Sequence, residues 1–391
     1  MTFSTRSAWR LDPNPLTARL DARNTARSAP LDLTRSNPTE LGFGGIDEAL
    51  ARALTAPSIG RYRPDPLGAR EAREAVCGYY RDHGVVLDPA QIVLTASTSE
   101  AYGYLFKLLC DSGDRVSHLT PGYPLFDELA RLEGVTLAPC PASLFGRWEL
   151  APPPSAHAES RALLLVHPNN PTGHLVRRDE REAMVAWAAE GRRALVVDEV
   201  FLDYGGAVPR DASPTFAGES GCLCFTLSGL SKVAALPQLK LGWVVVSGPE
   251  PLRREALARL EMIADCYLSV SAPVQAAAAT ILAQRGPRQR SLCARLDRHD
   301  AALRAAFAGS AVSVLPRDAG WYAVLKLPRV MSDEAWALSL VDAGVVTQPG
   351  YYFDLPDEAM LVLSLLTEED EFFKGVARLK AAVEASLGAA T

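Results

Sequence analysis

Lys232 is the residue in this sequence best placed for covalent chemistry. It lies in Ser228-Gly229-Leu230-Ser231-Lys232, directly after an apolar run from Cys222 to Leu227 that reads as a buried strand. Burial disfavours an ammonium, so a lysine among small and apolar residues can fall several units below its free value of about 10.4. It is then neutral often enough to add to a carbonyl and form a Schiff base. The hydroxyls of Ser228 and Ser231 and the flexible Gly229 leave room for an anionic group beside it. A surface lysine following a strand would look the same in isolation, so its neighbours in the chain must decide.

Four other polar positions follow apolar runs. Asp198 ends Ala194-Leu-Val-Val-Asp198, where an ionised carboxylate is costly unless paired, although a helix cap is the plainer use of such a residue. Asn170, in Asn169-Asn170-Pro-Thr-Gly173, is either a turn residue or a side chain presented to a ligand. Ser97, Thr98 and Ser99 open a helix, where free amides and the helix dipole suit a phosphate and where capping suits the same residues. Tyr123, between Gly122 and Pro124, is a stacking platform or a core aromatic.

The elements that must position these residues are legible as a rhythm. From Gln91 the chain repeats strand, turn and helix: Ile92–Thr95 then 101–110, 116–119 then a helix through Leu132, Ala162–Val166 then Arg178–Glu190, and Ala194–Asp198. Continuous apolar strands alternating with helices predict an α/β fold with a mostly parallel sheet covered on both faces. Ligands of such sheets lie beyond the carboxyl ends of the strands, where the polar clusters and Lys232 fall. Before this lies 1–40, rich in Arg, Pro, Thr and Asn, which reads as an extended arm; helices are expected from about Asp47 and over 69–83. A long helical stretch over 251–305, broken near Gly286-Pro287, leads into a different rhythm, with strands at 312–315, 321–327 and 360–366 and helices at 333–343 and 368–387. The expected organisation is an arm (1–45) that joins the smaller α+β domain (290–391), with the large domain over 46–289.

Composition sets the class. The chain has 391 residues, 48% hydrophobic and 22% charged, with a formal net charge of −6. That is an ordinary globular balance without the basic bias of a nucleic-acid binder. Its first residues hold no apolar leader, and no uncharged run is long enough for a membrane span. The seven cysteines are scattered without a CxxC pair, which predicts a reduced, cytoplasmic protein and no metal site; Cys222 and Cys224 read as core.

Taken together and in this order, Tyr62…Gly68, the 95–101 turn, Pro121-Gly-Tyr123, Asn170-Pro-Thr-Gly173, Asp198-Glu-Val, Ser228 to Gly242 and Gln348-Pro-Gly350 closely resemble the class I/II aminotransferases, the fold-type I enzymes that depend on pyridoxal 5′-phosphate. The resemblance implies that Lys232 holds the cofactor as an internal aldimine and later shuttles the substrate proton. It implies that Asp198 pairs with the pyridine nitrogen, that Asn170 donates to the phenolic oxygen and that Tyr123 stacks on the ring. Ser97, Thr98, Ser99, Ser231 and Lys240 would hold the phosphate, and Tyr62 would reach the phosphate of a neighbouring subunit, making a homodimer with shared sites. The implied reaction moves an amino group from an amino donor to a 2-oxo acid or other carbonyl acceptor.

Three residues depart from the family pattern. Phe201 stands where relatives have a Tyr that donates to the phenolic oxygen, with Tyr204 nearby; a hydrogen bond to a charged acceptor contributes about 1.5–3 kcal/mol. Lys240 replaces an Arg at the phosphate, keeping the charge and losing the planar fork. Val362 occupies the place of the Arg that clamps the substrate carboxylate, and no Arg or Lys lies between Arg329 and Lys374. Either another cation holds the carboxylate, with Arg35, Arg61 and Arg63 as candidates, or the donor is an amine, amino ketone or carrier-bound compound. The lost clamp also raises the alternative of a lyase, decarboxylase or cyclase on the same cofactor.

Overall fold

The computed structural model describes residues 2–24, 29–206 and 209–388. Met1, 25–28 and 389–391, in the expected arm and small domain, lie outside the described residues, as do 207–208.

The aliphatic runs become strands because both of their faces are covered. Among the described residues seven strands form the main sheet, in the order Ile92–Thr95, Gly242–Ser247, Leu223–Gly229, Ala194–Asp198, Ala162–Val166, Arg115–Thr120 and Thr136–Pro141. Leu163, Leu165, Leu195 and Val197 pack with Met184 and Ala188 of the helix Arg178–Glu190. The alternate residues Leu164, Val166 and Val196 pack on the other face with Tyr102, Leu105 and Phe126. Every pairing is parallel except those of Gly242–Ser247, which runs antiparallel between Ile92–Thr95 and Leu223–Gly229. That strand escaped the sequence reading because its first residues, Gly242-Trp243, were taken with the lysine segment.

The smaller unit is a four-stranded antiparallel sheet in the order Ser313–Val314, Tyr322–Lys326, Met360–Ser364, Gln348–Pro349. The helices Asp333–Asp342 and Glu369–Gly388 cover it with Trp336, Leu340, Phe372 and Leu379. The arm joins this unit: Leu31–Asp32 pairs in parallel with Val345–Val346, and Leu33 is fully buried in the small-sheet core.

Two expectations need correction. The arm is not simply extended, since Pro15–Asn24 is a helix whose start is held by Asn14 Oδ1 accepting from Thr17 N (2.8 Å). Only Leu16 and Leu20 give that helix an apolar stripe toward the core, too sparse for a period to show in sequence. The 251–305 stretch breaks twice, into Glu250–Asp265, Ala272–Ala283 and Arg285–Phe307. The unanticipated break precedes a helix with Ser271 at its N-cap position and a proline in its first turn, an ordinary start signal. Arg285–Phe307 runs unbroken through residue 290, and its Leu292, Leu296, Leu303 and Phe307 belong to the core of the small sheet.

Candidate active site

The strand Leu223–Gly229 delivers Lys232 through a short helix, Leu230–Val233. Gly229 allows this turn: a Cβ there would lie 3.0 Å from the Leu241 carbonyl oxygen and 3.1 Å from Gly242 Cα. Leu230 N donates to Leu241 O (2.9 Å), and the Tyr204 hydroxyl donates to the carbonyl of Lys232 itself. The lysine backbone is thereby held from two sides. Its amine makes no hydrogen bond among the described residues; it lies 4.6 Å from the Trp321 ring centroid and 5.8 Å from that of Phe201. Burial lowers its pKa to about 8, against the opposing pull of the Asp198 charge.

Asp198 ends the strand Ala194–Asp198 and is 6% exposed. Its Oδ1 accepts from Val200 N (3.0 Å) and its Oδ2 from the Tyr102 hydroxyl (2.8 Å). Burial raises the carboxyl to about 6 even so, because these bonds and the Lys232 charge only partly offset desolvation. His167 N donates to the Asp198 carbonyl (2.8 Å), tying this strand end to the one that leads to Asn170.

In the Asn-Asn pair the two side chains divide the work. Asn169 builds the turn, with Nδ2 donating to Pro121 O (2.9 Å) and Oδ1 accepting from the Thr172 hydroxyl (2.7 Å). Asn170 is 7% exposed, and its Oδ1 has no hydrogen-bond partner. The fully buried Ser228 hydroxyl is also unpartnered. Tyr123 is half-buried with its ring edge-on to Phe126 at 5.5 Å.

The neighbouring strand end, Thr95, leads into a helix N-terminus, which suits an anion. The helix Thr98–Leu109 is capped by Ser97, whose Oγ accepts from Glu100 N (3.1 Å), so capping accounts for that hydroxyl. The amides of Thr98 and Ser99 begin the helix and have no acceptor within it. Gly242 lets the facing strand approach: a Cβ there would lie 3.0 Å from Ser97 C and 3.1 Å from Thr98 N. Ser231 is half-buried on the lysine helix, and Lys240 is exposed in a left-handed conformation (φ +51°) two residues before Gly242.

Other expected residues lie elsewhere. Tyr62 is 81% exposed and, with Arg61 and Arg63, lines a groove of about 720 Å³ beside Tyr104 and Ser269; Lys232, Asp198 and Asn170 do not line it. Arg35 is paired with Glu371 (3.2 Å) and Glu40 (3.7 Å). Val362 is fully buried among Trp148, Val324, Phe353 and Met360, in register with Val324 on one side and Gln348 on the other. Phe201 is buried edge-on to Trp321 at 5.5 Å, and the Tyr204 hydroxyl, the nearby candidate for the lost donor, is committed to the Lys232 carbonyl. Tyr102 and Trp321 were missed from sequence: each reads as an ordinary aromatic of a helix or strand.

The family model for aminotransferases of class I and II matches residues 33–371. The chain belongs to this family. Relatives include the glutamate–pyruvate aminotransferase AlaA of Haemophilus influenzae, 27% identical over 261 residues that make up 64% of this chain and 63% of that protein. The valine–pyruvate aminotransferase of Mycobacterium tuberculosis is 28% identical over 57% of both chains, so this chain spans less than two thirds of either relative in the match. The 4-dedimethylamino-4-oxo-anhydrotetracycline transaminase OxyQ of Streptomyces rimosus is 27% identical over 89% of this chain and 92% of its own. Among solved structures, the alanine aminotransferase of Pyrococcus furiosus superposes with a TM-score of 0.87 over 98% of this chain and 100% of its own, at 20% identity; that shows the shared fold. The alternative of a lyase, decarboxylase or cyclase is not favoured by these aminotransferases.

The family implies pyridoxal phosphate, and the residues present fit it. A depressed lysine amine, a buried carboxylate, the unpartnered Ser228 hydroxyl, and two free helix amides beside a backbone approach only glycine allows are what an aldehyde, a basic ring nitrogen and a phosphate require together.

Proposed function

We propose that this chain is a pyridoxal-phosphate-dependent aminotransferase that moves an amino group from an amino donor to a 2-oxo acid or other carbonyl acceptor. The observation that carries the reading is the Lys232 amine, drawn down to about 8 by burial, with Asp198 as its charge partner at the adjoining strand end. Bound here, the cofactor supplies the electron sink that makes a donor's C–H acidic. The chain supplies the rest. Lys232 anchors the cofactor and then takes and returns a proton at the donor carbon, for which a pKa near the working pH is suited. Asp198 holds the ring nitrogen, Asn170 the ring's oxygen side and Tyr123 its face. The Thr98 and Ser99 amides, with Ser231 and Lys240, would hold the phosphate, with Ser97 capping the helix that presents them, while Phe201 and Trp321 would keep water from the amine.

For an anionic donor, Arg63 and Arg35 are the proposed contacts; Arg63 lies on the exposed Tyr62 loop, away from this chain's own Lys232, and would act with Tyr62 across the proposed dimer. Arg63 has no ion-pair partner among the described residues, whereas Arg35 would have to leave Glu371. A second reading, favoured by the apolar packing around Val362, is a donor without a carboxylate at that end. The exposed Tyr62 loop supports a homodimer in which Tyr62 reaches the partner's phosphate. The seven unpaired cysteines support a cytoplasmic setting, and no helix among the described residues is long and apolar enough to cross a membrane.

The test is cofactor uptake. The purified chain should take up pyridoxal phosphate with a visible absorbance band that Lys232→Ala abolishes; a wild-type protein that stays colourless overturns the reading. Comparing an amino acid with its amide and with the corresponding simple amine as donors separates the two donor classes.

A further inference from the structure

We propose that Tyr102 is a positioning residue for the cofactor's ring nitrogen: its hydroxyl clamps the Asp198 carboxylate and keeps it the weaker base, so that the shared proton stays on the nitrogen. The proposal rests on the pyridoxal phosphate reading of the site.

The helix that opens the anion site also carries this clamp. Thr98, whose amide is at the N-terminus of the helix, and Tyr102 are four residues apart and so lie on one face of Thr98–Leu109. One rigid element thus sets the distance between the phosphate amides and the carboxylate. The tyrosine ring cannot wander: it is 1% exposed, edge-on to Phe126 (5.2 Å) and stacked on Phe106 (6.4 Å). Burial pushes its hydroxyl well above the usual phenol range, so it stays protonated and can only donate to the carboxylate.

Asp198 has one anchor on each oxygen, Val200 N on Oδ1 and Tyr102 on Oδ2. Two points fix the carboxylate plane and leave each oxygen a further lone pair for the ring N–H. Removing the hydroxyl would leave Oδ2 buried with one donor fewer, and a buried carboxylate that loses a donor becomes more basic. The titratable groups facing it are Tyr102 and Tyr123, Lys232 across the strand ends, and Tyr80 from the helix Arg70–Asp82. Only Tyr102 touches the carboxylate by a side-chain hydrogen bond among the described residues. The shared proton would then move from the ring nitrogen toward Asp198.

Tyr102→Phe keeps every ring contact and removes only the donor, with an unchanged melting temperature reporting intact packing. Two readouts are taken without turnover: the magnetic resonance of an isotopically labelled ring nitrogen in the bound cofactor, and cofactor affinity of the stripped protein. In the variant the nitrogen should move from the protonated toward the unprotonated position at neutral pH, and affinity should fall by about tenfold, as for one unit of pKa. A cofactor analogue with CH in place of the ring nitrogen should bind both proteins alike. An unmoved nitrogen resonance, an equal loss for the analogue, or tighter binding by the variant would overturn the proposal, the last by showing that Tyr102 merely holds the cofactor's place. A wild-type protein that binds no pyridoxal phosphate would instead bring down the underlying reading, and this proposal with it.

Discussion

The amine of Lys232 should titrate far below an ordinary lysine, and replacing Asp198 by Asn should lower it further. Burial moves the group from 10.5 to about 8. Each unit is tenfold, so at neutral pH the neutral amine is a few hundred times, roughly, more abundant than on an exposed lysine. The same shift disfavours the folded charge by roughly 3 kcal/mol. The unfolded chain keeps this proton up to the ordinary lysine pKa, while the folded chain releases it from about 8. Between these values the unfolded state binds more protons, so stability rises with pH across that window; the full penalty applies below it. The Trp321 face at 4.6 Å favours the ammonium and limits how far the shift can go. The Asp198 charge also favours the ammonium, so Asp198→Asn should lower the midpoint by about one unit or more. The assay is the rate at which cofactor-free protein is trapped by pyridoxal and borohydride as a function of pH. It should level off near pH 8 in the wild type and at lower pH in the variant. A wild-type rate still climbing toward the ordinary lysine value, or a midpoint that rises in Asp198→Asn, would refute the argument.

Three other outcomes follow from the site. Val362→Arg puts a guanidinium into a fully buried apolar cluster, an expected loss of several kcal/mol in the absence of an anion. Thermal melts should show α-amino acids restoring part of it, with lower KM for them; no such rescue would mean that this wall does not face the donor. Gly242→Ala brings a methyl to 3.0 Å from Ser97 C, so pyridoxal phosphate affinity should fall by about tenfold while phosphate-free pyridoxal is nearly unaffected. Phe201→Tyr buries a hydroxyl beside Trp321 and should destabilise the cofactor-free protein by about 1–3 kcal/mol. Calorimetric titration should show tighter cofactor binding in that variant as the hydroxyl gains the phenolic oxygen, and equal affinity would place Phe201 away from it.

What the sequence made legible was mostly strand ends. Ala162–Val166 and Ala194–Asp198 stand out because strands buried on both faces are unbroken aliphatic runs, so the polar residues that follow, Asn170 and Asp198, are conspicuous. Lys232 is visible for the same reason. The helix Pro15–Asn24 was not, because its apolar stripe is two leucines and its place is fixed by contact with Asp333–Asp342, including Arg19 with Asp342 at 3.1 Å. The break before Ala272–Ala283 was missed although its serine and proline start signal was present. Tyr102 is the instructive omission. Within an apolar helix an aromatic reads as core, and it is core; its hydroxyl matters only because a strand nearly a hundred residues later ends beneath it. Periodicity reports which face of an element is buried, not which distant polar atom meets it.

The central claim, that the chain passes an amino group through its bound cofactor, is tested most directly by one stoichiometric cycle watched by absorbance. An amino donor added without acceptor should convert the visible band of the loaded protein to that of the amine form, and a 2-oxo acid or other carbonyl acceptor should then restore it, with one equivalent of new amine formed per site. Release of carbon dioxide or ammonia from the donor, with the visible band never converted, would contradict the account.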